Sequence, residues 1–467
     1  MPRAVQPGSW SALLERPHRL SAVVVVLGIL APAFAAFITA TVLPSAIVEI
    51  GGLELYAWAS TAYAVGSILG SAGSSVVVRR AGMRRAFLLA TGAFIVGAVV
   101  CGSAPTMKMV VAGRAVQGLG GGMLIAAAHA MVREMFPEGL WPHMLAAISA
   151  AWGTAALGGP ALGGALAAHG LWRVAFWAMV PVTMIAAALT WRLLGASDRR
   201  EGRQARVPFG RLSLICASVL CIGSIANTRG VAVRSLLLVV AVASLLLALR
   251  LEREARVRLL PSGMLALDKR LGKGYWMVFL LGMSTTPGGV YVPLLVQMLH
   301  DVSPASAGYL YAVQSLSWTA GTFVSARIAH ERAHRPIVLG PLLMASGFVA
   351  LFFTIASGPV AAIAGGLLLV GLGIGTAWTH LGAVILSSGR PDEGTVTASM
   401  IPTTQLFAVA LGSALSGIIA NQAGLARDAS PETAALAGAW LFGSFTVVPL
   451  TAAAIASRLR PARPRHP

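Results

Sequence analysis

Charge is expensive in hydrocarbon, and one arginine of this chain sits in it. Arg114 lies inside the apolar run 107–131, where an arginine costs about 2.5–3.5 kcal/mol on insertion scales. Such a residue must face the interior of a helix bundle and find acceptors there. It reads either as a packing anchor bonded to carbonyls of neighbouring helices or as a point of attraction for substrate or protons. His380 is the second ionisable group deep in an apolar run. Histidine as a residue type changes charge near neutral pH, so His380 reads either as structural or as a proton-coupling group. His129 lies nearer a run's end and is a weaker candidate. The 16 acids are all elsewhere: none falls in the middle of a run, and Glu49 ends the first. Cys101, Cys216 and Cys221 lie in apolar runs without metal-like spacing and read as small buried residues. No G-x-x-x-x-G-K-[ST] phosphate loop is present, and no polar cluster of the kind a membrane-embedded enzyme needs. The expectation is a protein that is not an enzyme, with no cofactor and no metal.

The elements that position these groups follow from composition. Apolar residues make up 57% of the 467, charged residues 11%, and mean hydropathy is +0.78. Such a chain would leave greasy surface in water, and a bilayer requires helices or a closed barrel. Barrel strands alternate over about ten residues. Here the runs are continuous, near the roughly 20 residues that span a membrane as helix, and rich in small residues that let membrane helices pack closely. Fourteen spans are expected: 21–48, 55–78, 86–103, 107–131, 143–166, 172–194, 212–228, 233–249, 274–299, 305–326, 336–356, 360–386, 395–420 and 435–457. The first run is too long for a cleavable signal peptide and lacks a cleavage site.

The net charge of +19 raises nucleic acid as a partner, but the placement of the charge argues against it. With the N-terminus cytoplasmic and sides alternating, most of the 35 Lys and Arg fall on the cytoplasmic side, as the positive-inside rule requires. Both termini are then cytoplasmic, in a cell (inner) membrane. Some of this charge is placed to meet anionic membrane lipids. One offset maps Gly118 to Gly371, Gly159 to Gly412 and Tyr56 to Tyr309. Spans 1–6 and 9–14 therefore read as two parallel six-helix repeats, with two inserted helices between them. The expected domains are residues 1–194, a linker with two additional helices over 195–273, and residues 274–467. Repeated bundles of this kind place a substrate site between their halves, near the midplane.

Motifs in these spans resemble a known family. VVAGRAVQGLGGG, with Arg114, Gln117 and Gly118, is similar to the R-x-x-Q-G signature of the fourth helix of major facilitator superfamily transporters. WGTAALGGPALGGAL resembles the G-x-x-x-G-P-x-x-G-G signature of antiporters in that superfamily. The span count and the region around ATVLPSAIVEIGGLELYAWASTAY resemble the fourteen-helix drug–proton antiporter branch. The resemblance implies an all-α integral membrane fold and a proton-linked role for Arg114. It also implies gating or leak control by Gly153, Gly159, Pro160, Gly163 and Gly164. Two departures stand out. In the loop after helix two, Gly82 and Arg84 of the basic cluster are kept, but Arg79 stands where relatives carry an acid. Ala35 stands where the branch often has an Asp, nine residues before Pro44.

On the helices that line the cavity in that family lie Trp58, Tyr63, Gln117, Gln314, Trp318, Trp378, Thr403 and Gln405, with Thr39, Thr41, Trp152 and Tyr291 beside them. An apolar pocket with few polar points suits amphipathic organic molecules. The leading expectation is a secondary active transporter that exports small hydrophobic or amphipathic molecules by alternating access, with proton coupling through His380 or Arg114. The alternative is a facilitator or importer of a neutral, lipid-like or anionic solute without proton antiport. Oligomeric state is left open.

Overall fold

Apolar runs that must satisfy their own backbone hydrogen bonds fold as helices, and every regular element among the described residues is helical. The computed structural model describes residues 18–137, 140–193, 209–225, 230–255, 260–326, 333–390 and 393–459, with Leu13, Glu15, Thr228 and Ile328. Most of the basic stretch expected at 195–211 lies outside these residues.

The first helices are α1 (His18–Ile50), α2 (Tyr56–Gly102), α3 (Met107–Met135), α4 (Trp141–Ala168), α5 (Trp172–Trp177) and α6 (Met179–Leu193). Next come α7 (Phe209–Ile225) and α8 (Val231–Arg253). The remainder are α9 (Arg270–Ser284), α10 (Thr286–His300), α11 (Pro304–Ala326), α12 (His334–Thr354) and α13 (Val360–Ser388). The chain closes with α14 (Gly394–Gln422), α15 (Pro431–Phe445) and α16 (Val447–Ser457). Among the described residues, 11 helical stretches are long and apolar enough to cross a membrane. Helices α4, α11 and the 17-residue α7 stand at the three other expected positions.

Three expected spans are broken, each just ahead of a proline. The breaks fall at Ala178 before Pro181, at Thr285 before Pro287 and at Thr446 before Pro449. Proline has no N–H and clashes with the carbonyl four residues back. Threonines take up acceptors near two of these breaks: Thr286 Oγ1 donates to the Met283 carbonyl at 2.8 Å, and Thr446 Oγ1 to that of Phe442 at 2.7 Å. Helix α4 runs through Pro160 as one helix. Inside α2 the chain turns at Gly82 (φ 80°, ψ 162°), a conformation glycine adopts without penalty.

The chain divides into two compact units. One is Met1–Gly51 with Ala62–Phe209; the other is Gly52–Thr61 with Gly210–Pro467. In the first, α1 packs on α3 and α4. A Cβ on Gly118 would overlap the carbonyl oxygen of Tyr63, one on Gly122 that of Ser67, and one on Gly120 the backbone at Phe94. In the second, α13 packs on α11 and α12. There Gly371 meets the Gln314 carbonyl, Gly375 that of Trp318, and Gly373 that of Gly340. Each unit thus presses one helix of small residues, backbone to backbone, against its neighbours, the two arms of α2 on either side of Gly82 in the first and α11 and α12 in the second, which is how membrane helices gain van der Waals contact without a hydrophobic drive. The packing pairs Tyr63 with Gln314, two residues away from the register in which Tyr56 matches Tyr309.

Helix α8 is mostly exposed; only Ala241, Ala248 and Glu252 are buried. Glu252 forms an ion pair with Arg211 of α7 and accepts from the Leu260 N–H at 2.8 Å. After the inserted pair, Ser262 donates through its N–H and its hydroxyl to the carboxylate of Glu393, at 2.9 and 2.5 Å. That carboxylate lies at the N-cap of α14, where a negative charge meets the helix dipole favourably.

Candidate functional site

In the first unit the side chains gather around Arg114, which is 3% exposed. Helix α3 carries it on the face turned to α2, because Gly118 and Gly122 bring those two helices together. Its Nη1 donates to Gln117 Oε1 at 2.6 Å, and its guanidinium lies 4.0 Å from the centre of the Tyr63 ring. Gln117 Nε2 in turn reaches Met179 Sδ of α6 at 3.7 Å. An amide oxygen and an aromatic face therefore receive the charge. Cation–π contacts gain strength when desolvated, to about 2 kcal/mol, and a charged hydrogen bond contributes about 1.5–3 kcal/mol. Together these are of the order of the insertion cost of the arginine.

The second unit holds several groupings. Gln314, 3% exposed, donates from Nε2 to the Thr285 carbonyl at the α9–α10 break, at 3.2 Å. Its buried Oε1 has no hydrogen-bond partner among the described residues. Trp318 and Trp378 form an edge-to-face pair with centroids 5.5 Å apart, a favoured aromatic geometry. His380 Nε2 lies 3.0 Å from the Ser325 carbonyl, an acceptor for an N–H at that nitrogen. Thr403 and Gln405 are half-buried on α14. Trp58 belongs to the second unit, where it lies against Gly223 of α7; Tyr63, five residues on, belongs to the first.

The gating candidates divide. On α4, a Cβ on Gly159 would lie 2.6 Å from Phe37 Cβ and one on Gly163 would lie 3.3 Å from Thr41 Cβ, so both face α1. Pro160 and Gly164 are buried with them, while Gly153 has open space on its Cβ side. Arg84, two residues past the turn at Gly82, stacks on Trp191 of α6 at 3.5 Å. The side chain of Arg79 lies outside the described residues.

Sequence reasoning missed the partners Met179, Thr285, Ser325 and Trp191. It also missed a clamp in the first unit. Glu49 at the end of α1 accepts from Trp172 Nε1 at 2.7 Å and from Arg173 Nη1 at 2.5 Å. Arg173 Nη2 donates onward to the Ala104 carbonyl at 3.3 Å. Opposite charges in two segments expected on the same face are the signal that would have found it. Tyr56 and Tyr291 pack in the second unit with centroids 5.4 Å apart. Among the described residues no group of three or more His, Cys, Asp or Glu is placed to hold a metal.

Comparison with known proteins fits this architecture. A probable multidrug-efflux transporter of Mycobacterium tuberculosis is 35% identical over 459 residues, covering 95% of each chain. Multidrug resistance protein 3 of Bacillus subtilis is 22% identical over 84% of this chain and 78% of that one. The crystal structure of a POT family transporter superposes with a TM-score of 0.71 at 12% identity, covering 94% of this chain and 96% of the other; it speaks to the fold alone. Residues 25–413 match the family model of the Major Facilitator Superfamily. The chain therefore belongs to the Major Facilitator Superfamily and is a multi-pass membrane transporter rather than an enzyme.

Proposed function

We propose that this transporter exports small hydrophobic or amphipathic molecules by alternating access, as a multidrug-type secondary carrier of the cell membrane. The observation that carries this reading is the Arg114–Gln117–Tyr63 grouping, a buried guanidinium bonded to an amide oxygen and stacked on an aromatic face inside the bundle. The 35% identical relative named for multidrug efflux supports it. The reading takes fourteen spans with both termini cytoplasmic. It divides the chain into a six-helix bundle over 1–194, an inserted pair over 195–273 and a second bundle over 274–467. The recurrence of glycine-on-carbonyl packing around α3 and α13 supports the repeat. In this reading Arg114, Gln117, Tyr63, Trp58, Gln314, Trp318, Trp378, Thr403 and Gln405 meet substrate, and His380 or Arg114 couples protons. Gly82 and Arg84, with the α4 residues Gly153, Gly159, Pro160, Gly163 and Gly164, serve gating and packing.

A second reading has one observation in its favour. All 16 acids lie outside the middles of the spans, and buried carboxylates are the usual proton carriers. A facilitator or importer of a neutral, lipid-like or anionic solute, without proton antiport, is consistent with that placement.

Everted membrane vesicles loaded with hydrophobic dyes and given an imposed pH gradient separate the two. Gradient-driven dye accumulation supports antiport. Dye movement indifferent to the gradient sinks antiport and leaves the facilitator.

A further inference from the structure

A cleft of about 280 Å³, with a lining that does not include Arg114, opens between α1 and α4 in the first unit. Val23, Val26 and Leu27 of α1 form one wall, and Met144 and Ala147 of α4 the other. Leu13, Arg19 and Ala22 complete its lining. Val23 is 39% exposed, so the outer side of the cleft is open to its surroundings.

Three features of the cleft select an occupant. The first is length. From Arg19 to Leu27 the helix rises about 12 Å, most of one leaflet of a hydrocarbon core about 30 Å thick. The second is volume, which falls just below the roughly 300–1,000 Å³ of sites that enclose drug-sized molecules and suits a single chain. The third is charge. Its lining is apolar except for Arg19, whose stem can lie along the wall while the guanidinium reaches the headgroup level. Glu15, exposed one turn earlier, is the nearest acid in sequence, and apart from Glu49 at the far end of α1 it is the only acid in residues 1–50.

We propose that this cleft binds one acyl chain of an anionic glycerophospholipid, with the lipid phosphate on Arg19. The inference rests on the topology proposed above, which puts the Arg19 end of α1 at the cytoplasmic leaflet. There anionic lipid meets basic residues at about 1 kcal/mol each.

Native mass spectrometry of the full-length protein in detergent tests it, with phosphatidylglycerol or phosphatidylcholine titrated in. Phosphatidylglycerol should form the tighter adduct. Arg19→Gln should weaken that adduct about five-fold, the equivalent of one basic residue at the headgroup. Val26→Trp or Ala147→Leu, each filling the cleft, should remove it while the unfolding temperature without lipid holds. Equal binding of the two lipids overturns the proposal, as does a phosphatidylglycerol adduct unchanged in all three variants. If Val26→Trp abolishes binding of Nile red and spares the lipid adduct, the cleft is a pocket for neutral hydrophobic solutes and the proposal falls. Lipid binding is read without flux, so a failure of the export reading leaves these outcomes intact.

Discussion

Arg114 is joined to its surroundings by geometry as much as by charge. Its bond to Gln117 and its stacking on Tyr63 require a planar guanidinium, which lysine does not supply. Arg114→Lys should therefore lose most dye export, and Arg114→Ala should lower it at least about ten-fold, both scored as initial rates in vesicles at equal protein. Removal of the charge leaves Gln117 Oε1 buried without its donor, at about 1–3 kcal/mol. His380 is held through one carbonyl bond. If it couples protons, His380→Gln, which can still donate to that carbonyl, should preserve folding while abolishing the gradient dependence of export; unchanged gradient dependence removes it from the mechanism. Arg114 was legible in the sequence because an arginine within an apolar run announces its own cost. Its acceptors were less so. Gln117 shares the motif, but Met179 lies 62 positions away, and a thioether in an apolar run gives no sign of which amide it will meet. For the same reason the buried Oε1 of Gln314, without a hydrogen-bond partner among the described residues, surfaced only once the neighbours were placed.

At the scale of helices, the expected spans and the observed elements agree in place and differ in continuity. Hydropathy locates a span but does not report whether its hydrogen bonds run unbroken, so the interruptions at Ala178, Thr285 and Thr446 were not expected. Each precedes a proline, yet Pro160 and Pro44 sit in continuous helices. The residue type alone was therefore not the signal. The packing of α3 and α13 permits a sharp test. Gly122→Leu should strain the contact with Ser67, and Gly371→Leu the contact with Gln314. Overpacking of this kind costs about 1–3 kcal/mol, and both should lower the unfolding temperature in detergent. Gly153→Leu, with open space beside it, should leave that temperature unchanged. In the inserted pair, Glu252→Ala removes an ion-pair partner of a mostly buried Arg211, whose side chain is 11% exposed. It also frees the Leu260 N–H. The expected loss is about 1–3 kcal/mol, below the 3–5 typical of a fully buried pair, read as thermal or denaturant unfolding.

For the whole molecule, the question is which side each loop faces. The proposed fourteen spans place Thr228, between α7 and α8, outside, and Ser262, after α8, inside. In a background lacking Cys101, Cys216 and Cys221, Thr228→Cys should react with a membrane-impermeant maleimide on intact cells, and Ser262→Cys only after lysis. Protection of both on intact cells would mean that α7 and α8 do not cross. In the sequence this proposed topology rests on the arginines, because lipid charge and hydrocarbon act on every loop alike. The clamp of Glu49 with Trp172 and Arg173 was missed, although its unlike charges fall in segments expected on one face.

The glycines of α3 and α13 also bear on how such a carrier can change under selection. Where backbone rests on backbone, no side chain is available to vary, and α2–α3 and α11–α13 are fixed at those contacts. Trp318 and Trp378, by contrast, meet ring to ring. In a library of single variants grown under a toxic compound, Gly118, Gly122, Gly371 and Gly375 should appear as columns intolerant of every larger residue, whatever the compound. The tryptophan positions should change their preferences from one compound to the next. Inheritance of the scaffold and drift of the repertoire would then be written at different addresses in one gene.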